Sequence, residues 1–374
     1  MASPQWFLRK GAPRSGFRYV TPAGKSVAAA AAERAAKLVI PPAWTDVHVA
    51  TSPTAAVQAW GFDAKGRKQY RYHERAAERG QLRKFYRVRQ MARDLPAIRA
   101  AVAKDLRGRT LTKRRVAAGV VRLISEVFFR VGSERYAEEN KTFGVSTLLK
   151  RHVADHGDRV VFDYVGKEGV RQHHIVVDRQ LAGFVRELLA TPGRRLFRYQ
   201  DAAGAWCNLS SRDVNEYMHD TLGVPYSAKD FRTWGGTLAL ATILSDLGPG
   251  ATARETQKNL VTAIRLVAAE LGNTPTVCRK AYVHPIVVAR YLDDGSTIAP
   301  FLARAAVRRR ATRAAAEGRG HEGHPPEEQA LIGFLDKYFP ERRTKRRDRR
   351  RSARDAAADR RAARAVADAV ADAA

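Results

Sequence analysis

The stretch Gly272-Asn273-Thr274-Pro275-Thr276-Val277-Cys278-Arg279-Lys280-Ala281-Tyr282-Val283-His284-Pro285 decides how the rest of the chain is read. Thr274 followed by Pro275 has the pattern of an N-cap with proline at the first helical position, where the missing N–H costs nothing. A helix is expected from there to near Pro285, with Tyr282 about two turns in. Arg279 falls one turn before the tyrosine, Lys280 two residues before it, and Asn273 just outside the helix start. A tyrosine this close to cations is either a surface residue on a basic helix or a nucleophile held near a phosphate. The local residues leave both readings open.

Immediately upstream, Glu255 to Leu271 places Leu260, Ile264, Val267 and Leu271 on one stripe of an amphipathic helix that runs into Asn273. Farther back, Ser227-Ala228-Lys229-Asp230 has capping-box spacing, so Phe231-Arg232-Thr233-Trp234 begins another helix. Lys229 and Arg232 are three apart and share a face at its positive end, a place for an anion. Before that, Arg159 to Val165, Gly166-Lys167-Glu168-Gly169 and Val170 to Val177 form the clearest hairpin of this region, with Lys167 at the tip. Strand alternation sends His173 and His174 to opposite faces, so they do not chelate a metal jointly.

Thr112 caps a helix expected to run through Phe129, with Val116, Val120, Leu123 and Val127 as its core stripe. It delivers Phe128-Phe129-Arg130-Val131-Gly132-Ser133-Glu134-Arg135-Tyr136, and Lys141 leads the loop Thr142-Phe143-Gly144. An arginine closing an apolar run suits a buried structural pair as well as a phosphate ligand. Ahead of Thr112, a strongly basic helical stretch from Leu82 to Leu95 is expected to break at Asp94-Leu95-Pro96, and the domain boundary is placed near there.

The N-terminal part reads as short strands and turns. Phe17 to Val20, the turn Thr21-Pro22-Ala23-Gly24 and Lys25 to Val27 form one hairpin, and Ala28 to Val39 form a helix ended by Pro41-Pro42. A second hairpin joins Val57 to Phe62 with Arg67 to Tyr72 through Asp63-Ala64-Lys65-Gly66. Alternation puts Arg67, Gln69 and Arg71 on one face and Lys68, Tyr70 and Tyr72 on the other. Both faces carry groups that suit DNA, cations for phosphate and amide or phenol groups for sugars and base edges.

The chain has 374 residues, 45% of them hydrophobic. That is enough for two domains, since single cores stop growing near ~250 to 300 residues. Lys and Arg number 67 against 38 Asp and Glu, a net charge of +29. So large an excess repels itself unless phosphates neutralise it, which points to nucleic acid rather than a membrane. No apolar run approaches a spanning helix, and Met1-Ala2-Ser3-Pro4-Gln5 lacks a signal-peptide core. Cys207 and Cys278 stand far apart without histidines at ligand spacing, so neither a zinc site nor a disulfide framework is indicated. The block Arg308-Arg309-Arg310, with His321 and His324 beyond it, reads as exposed linker, and the basic tail from Arg342 as a nonspecific DNA grip.

Taken in order, six blocks resemble the type IB DNA topoisomerases, specifically the compact poxvirus and bacterial enzymes, from about residue 15 to 340. They are Gly66-Arg67-Lys68-Gln69-Tyr70 with Tyr72, Arg130-Val131-Gly132 with Tyr136, Thr142-Phe143-Gly144, Gly166-Lys167, Lys229-x-x-Arg232-Thr233-Trp234-Gly235, and Asn273-Thr274-Pro275 leading to Tyr282.

The resemblance implies an α+β fold, with a small β-rich N-terminal domain over 1–85 and a larger, mainly α catalytic domain over 86–340 that together clamp around DNA, followed by a basic tail over 341–374. It implies that Tyr282 attacks a phosphodiester to give a 3′-phosphotyrosyl intermediate and a free 5′-hydroxyl. Arg130 and Arg232 would bind the nonbridging oxygens, and Lys167 would be the general acid. Asn273 would donate to a phosphate oxygen where many relatives have histidine, with Lys229 supporting the same phosphate. Arg67, Lys68, Gln69, Tyr70, Tyr72, Ser133, Tyr136 and Lys141 would contact double-stranded DNA. A monomer in the cytoplasm, at the nucleoid, is implied.

The residue types suit this chemistry, because phosphoryl transfer is mostly positioning and neutralisation of developing charge, and a lysine carries a proton at neutral pH. No carboxylate cluster near the tyrosine and no phosphate-binding Gly-x-x-x-x-Gly-Lys-Ser/Thr loop is found, so neither a metal, nor ATP, nor another cofactor is expected. A tyrosine recombinase shares the nucleophile and arginines, but usually has His-x-x-Arg where this chain has Lys229-x-x-Arg232. A noncatalytic basic DNA-binding protein is the other reading.

Overall fold

The computed structural model describes residues 6–222, 226–305 and 324–339. The linker arginines, His321 and the basic tail lie outside them. The chain divides into two compact units, Met1–Arg87 and Val88–Ala374, and mixes helix with sheet.

The first unit is an antiparallel sheet of β1 (Trp6–Ala12), β2 (Gly16–Val20), β3 (Thr45–Ala50), β4 (Val57–Phe62) and β5 (Lys68–Tyr72) in the order β2-β1-β3-β4-β5, with helix α1 (Ala29–Lys37). Alternation along the strands gives the two faces different jobs. Ala35 of α1 packs with Val47, Val49 and Ala59, flanked by Phe7, Tyr19 and Trp44. The other face carries a row of rings, His48 stacked 3.8 Å on Trp60, with Trp6 and Phe62 edge-on to Trp60. The expected hairpin after Val20 shrinks to a single bridge to Ser26, and the partner of β2 is β1. Glycine explains that pairing: a Cβ on Gly11 would lie 2.2 Å from the Gly16 carbonyl oxygen, and both residues have positive φ.

Helix α2 (Glu74–Leu106) carries the chain from one unit into the next, and Pro96 sits inside it rather than ending it. The proline deletes one helical bond at a cost of about 3 kcal/mol. Against this, Val88, Leu95, Ile98, Val102 and Leu106 are buried along one stripe, each worth about 1.5–3 kcal/mol. Burial outweighs the break.

The second unit is mainly helical. Helix α3 (Lys113–Val127) is capped by Thr112 Oγ1 accepting from Arg115 N and ends at Phe128 in the left-handed region (φ 55°). After the short α4 (Glu134–Glu139) come β6 (Val153–Asp155), β7 (Arg159–Val165) and β8 (Arg171–Val177), paired antiparallel in that order. Helix α5 (Arg179–Leu189) leads to a second hairpin, β9 (Arg198–Gln200) with β10 (Trp206–Asn208). Helices α6 (Ser211–Leu222), α7 (Ala228–Leu247), α8 (Ala253–Glu270), α9 (Pro275–Ala281) and α10 (Pro285–Asp294) follow, with a closing helix at Pro326–Tyr338. One continuous core runs from Val88 through Phe129, Phe162, Phe231, Leu260 and Val283 to Leu335.

Candidate active site

The site is built on helix ends. The last carbonyls of a helix have no partner inside it, and the macrodipole makes that end negative. Helix α3 ends at Phe128, whose carbonyl oxygen accepts from Arg232 Nη1. Helix α8 ends at Leu271 and Gly272; Leu271 O accepts from Arg232 Nη2 at 2.8 Å and Gly272 O from Arg130 Nη2 at 2.8 Å. Two guanidiniums from distant segments thereby close the ends of two helices.

These arginines are held without being neutralised. Neither forms an ion pair among the described residues, and their acceptors are neutral oxygens. Arg232 is 4% exposed; burial first, then the like charge of Arg130, pulls its pKa down. A buried fork short of negative partners is prepared for an anion. Among the described residues, Arg232 Nε is buried without a hydrogen-bond partner.

Two glycines make the fit possible. A Cβ on Gly235, in α7, would lie 2.1 Å from the Phe128 ring, and one on Gly236 would lie 3.0 Å from Tyr282 O.

Thr274 caps α9 as expected, accepting from Val277 N at 3.3 Å. Tyr282, however, is the C-cap of that helix (φ −125°, ψ −4°) rather than a residue within it. The next helix already starts at Pro285 with His284 as its cap, so the tyrosine sits on the link between two helices. Its ring lies 5.0 Å from the Arg232 guanidinium carbon. One turn earlier, burial pushes the Cys278 thiol up to about 11, so it stays protonated and does not compete as a nucleophile at neutral pH.

Asn273 Oδ1 accepts from Arg130 at 2.6 Å, which fixes the amide so that its Nδ2 donates to Leu271 O at 3.3 Å and keeps a second N–H. Arg130, Lys167, Glu168 and Asn273 line one cavity of about 240 Å³. Lys167 reaches it from the β7–β8 tip, largely exposed and 3.6 Å from Glu168.

Lys229, at the start of α7, is exposed, whereas Arg232 one turn on is buried. The N-terminus of α7 carries its own carboxylate. Asp230 supplies the negative charge itself, accepting from Ser227 N and Ser227 Oγ at 2.9 Å each. Ser133 is the N-cap of α4 without a side-chain cap bond, and Tyr136 is 38% exposed.

In the first unit, the two faces of β5 separate. Arg67 lies in the turn before the strand, and its side chain and that of Gln69 are bound to Asp63 at 2.7–2.9 Å. Arg71 donates to Val39 O at 2.8 Å. The opposite face keeps its groups outward: Tyr70 and Tyr72 stack at 5.9 Å and are 40% and 56% exposed, with Lys68 Nζ over Trp60.

Sequence reasoning missed a second layer. Tyr164 and His174 pack on Phe129 beneath the arginines. Burial first, with Arg232, His173 and Arg130 adding to it, pushes His174 down to about 4. Burial raises Tyr164, opposed by the same arginines. It also missed a basic trough of about 740 Å³ where Arg151, Arg194, Arg195 and Arg198 join Lys141. The Pro192-Gly193-Arg194-Arg195 turn was its only signal.

Residues 67–305 match the family described as eukaryotic DNA topoisomerase I, catalytic core, and residues 16–63 match the N-terminal domain of bacterial DNA topoisomerase IB. A DNA topoisomerase 1B of Acanthamoeba polyphaga mimivirus is 32% identical over 269 residues, covering 70% of this chain and 80% of that protein. The chain belongs to the type IB DNA topoisomerases. The DNA topoisomerase 1B of vaccinia virus (strain Copenhagen) is 27% identical over 244 residues, 62% of this chain and 72% of the viral one. As a type IB topoisomerase the chain relaxes supercoiled duplex DNA by cleaving and resealing one strand through a 3′-phosphotyrosyl intermediate. No helix among the described residues is long and apolar enough to cross a membrane, and no group of three His, Cys, Asp or Glu among them could hold a metal.

Proposed function

We propose that Tyr282 is the nucleophile and that Arg130, Arg232, Lys167 and Asn273 form its phosphate site. The observation that carries this reading is the meeting of three distant segments at the end of α8: Arg130 on Gly272 O and Asn273, and Arg232 on Leu271 O with its guanidinium beside the Tyr282 ring.

The Tyr282 phenol releases its proton to solvent as its oxygen attacks phosphorus, the bond to O5′ breaks, and the phosphate passes to the phenol. The two guanidiniums neutralise charge developing on the nonbridging oxygens. Lys167 gives its proton to the departing O5′, and religation runs the same steps in reverse. Asn273 donates its remaining amide N–H to a phosphate oxygen. Arg232 only donates, so it stabilises charge without acting as base. Lys229 supports the phosphate from the exposed start of α7.

Lys68, Tyr70 and Tyr72, with Arg67 and Gln69 beside them, contact duplex DNA from the first unit. Ser133, Tyr136 and Lys141 contact it from the second. Domains at 1–85 and 86–340 close as a clamp around the duplex, and the tail at 341–374 grips DNA nonspecifically. The enzyme works as a monomer at the nucleoid in the cytoplasm, without metal or ATP. The charge of +29 supports this set of contacts.

Tyr282→Phe tests the reading. Incubated with nicked or supercoiled plasmid in EDTA, the unaltered chain forms a denaturation-resistant adduct mapping to Tyr282. The variant forms none and keeps DNA affinity within a few-fold. Adduct on another residue, or relaxation by the variant, sinks the assignment.

A further inference from the structure

Tyr282 sits on a three-residue link between α9 and α10, so its hydroxyl is only as well placed as that link. On one side the link is held by α7. Thr237 Oγ1 accepts from His284 N at 3.1 Å, and its single proton faces Thr233 O at 2.7 Å and Tyr282 O at 3.3 Å. Thr237 and His284 are each 1% exposed.

On the other side the link meets the end of the closing helix. The His284 ring packs edge-on to Phe339 with centroids 4.6 Å apart. Phe339 is the C-cap of Pro326–Tyr338, and its carbonyl oxygen accepts from Arg89 Nη1 at 2.7 Å. Arg89, on α2, is 7% exposed at its side chain and also donates through Nε to Asp336 Oδ1 at 2.8 Å. Arg93, one turn on, reaches the same carboxylate oxygen at 2.7 Å but makes no described bond to Phe339.

We propose that Phe339, seated by Arg89, is a positioning residue for the nucleophile: its ring fixes His284 and through it the link that aims Tyr282. The proposal rests on Tyr282 being the nucleophile. Three features support it. The contact falls two residues from Tyr282, the ring meets a buried side chain rather than solvent, and a nearly buried cation ties the Phe339 carbonyl to the Asp336 carboxylate one turn back. A helix that served only to cover the core would be satisfied by Leu331, Phe334 and Leu335, which are already buried in it. Near-attack geometry is sensitive to displacements of about 1 Å, which can cost on the order of 10²-fold in rate.

The test uses full-length protein and a duplex whose cleaved end diffuses away, so that the adduct accumulates in one turnover. Phe339→Ala, Phe339→Leu and Arg93→Ala are compared with the unaltered chain. The fraction of enzyme reaching adduct counts correctly folded molecules, while the rate constant reports on alignment. We expect Phe339→Ala to lower the cleavage rate constant about 10-fold with DNA affinity within two-fold. Phe339→Leu should recover most of that loss, and Arg93→Ala should cleave at the unaltered rate. The same loss should appear in religation of preformed adduct. If Phe339→Ala lowers only the adduct fraction or the melting temperature and cleaves at full rate, the residue is merely structural and the proposal fails. If the unaltered chain forms no adduct, the reading of Tyr282 falls first and this inference with it.

Discussion

The β4–β5 hairpin and the end of α8 both display arginines toward a polyanion, yet they treat them oppositely. In the hairpin, Arg67 is bound to the Asp63 carboxylate, which it holds down at about 2 together with its neighbours' N–H groups. At the end of α8, Arg130 and Arg232 are bound to carbonyls and an amide oxygen. A carboxylate fixes a guanidinium and cancels its charge. A carbonyl fixes it and leaves the charge for a phosphate. On the proposed reading the hairpin serves affinity and the helix ends serve chemistry.

The sharpest way to break this contrast is to remove a carbonyl-held arginine. Arg232→Ala is expected to lower the single-turnover cleavage rate by about 10²–10³-fold, the loss usual for one preorganised donor of charge stabilisation. Affinity for duplex should stay within a few-fold. Arg232→Lys should recover little, because an ammonium cannot span Phe128 O, Leu271 O and an anion at once. Equal losses in affinity and rate would show that Arg232 serves binding rather than the reaction.

The layer beneath the arginines gives a second, smaller effect. His174 is lowered in the folded chain to about 4 from 6.5. Folding therefore favours its neutral form, and that contribution is complete above pH ~6.5, declines as the unfolded chain takes up a proton, and is gone below about pH 4. The full amount is on the order of 3 kcal/mol. Chemical denaturation of the unaltered chain across this window should show the decline, and His174→Phe, which fits against Phe129, should flatten it. A parallel decline in both proteins would place the titrating group elsewhere.

The smallest effect concerns the hairpin. Asp63→Asn keeps an acceptor for Lys65 N and Arg67 N but removes the charge opposing Arg67. Duplex affinity should rise a few-fold at low salt, and the slope of log affinity against log salt should steepen by about one phosphate contact. An unchanged slope would mean that Arg67 does not reach the backbone.

Much of this was legible in the sequence where one local rule governs. Thr274-Pro275 opened a helix, Thr112 capped another, and the Gly166–Gly169 tip carried Lys167, because caps and turns are set by neighbours in the chain. The failures share a cause. Pro96 failed to break α2 because its helix buries a long apolar stripe, a tertiary fact. Lys229 and Arg232 were read together on one helical face, yet the carbonyls of Phe128 and Leu271 give a buried seat to Arg232 while Lys229 stays exposed. Tyr282 was placed within a helix, whereas His284 and Pro285 start the next one soon enough to leave it on the link. The acceptors of both arginines were invisible for a simpler reason: apart from Asn273 they are main-chain atoms, which no residue letter announces.

That last point bears on how such a site endures mutation. Every amino acid has a carbonyl, so no side-chain exchange at position 128, 271 or 272 can delete the oxygens on which Arg130 and Arg232 rest. What would unseat them is a shift in where α3 or α8 stops, through an insertion, a deletion, or a bulkier residue at Gly235 or Gly272. The seat of the two guanidiniums is encoded in chain length and helix termination, with Gly235, Gly272 and Asn273 as the few letters that must be kept.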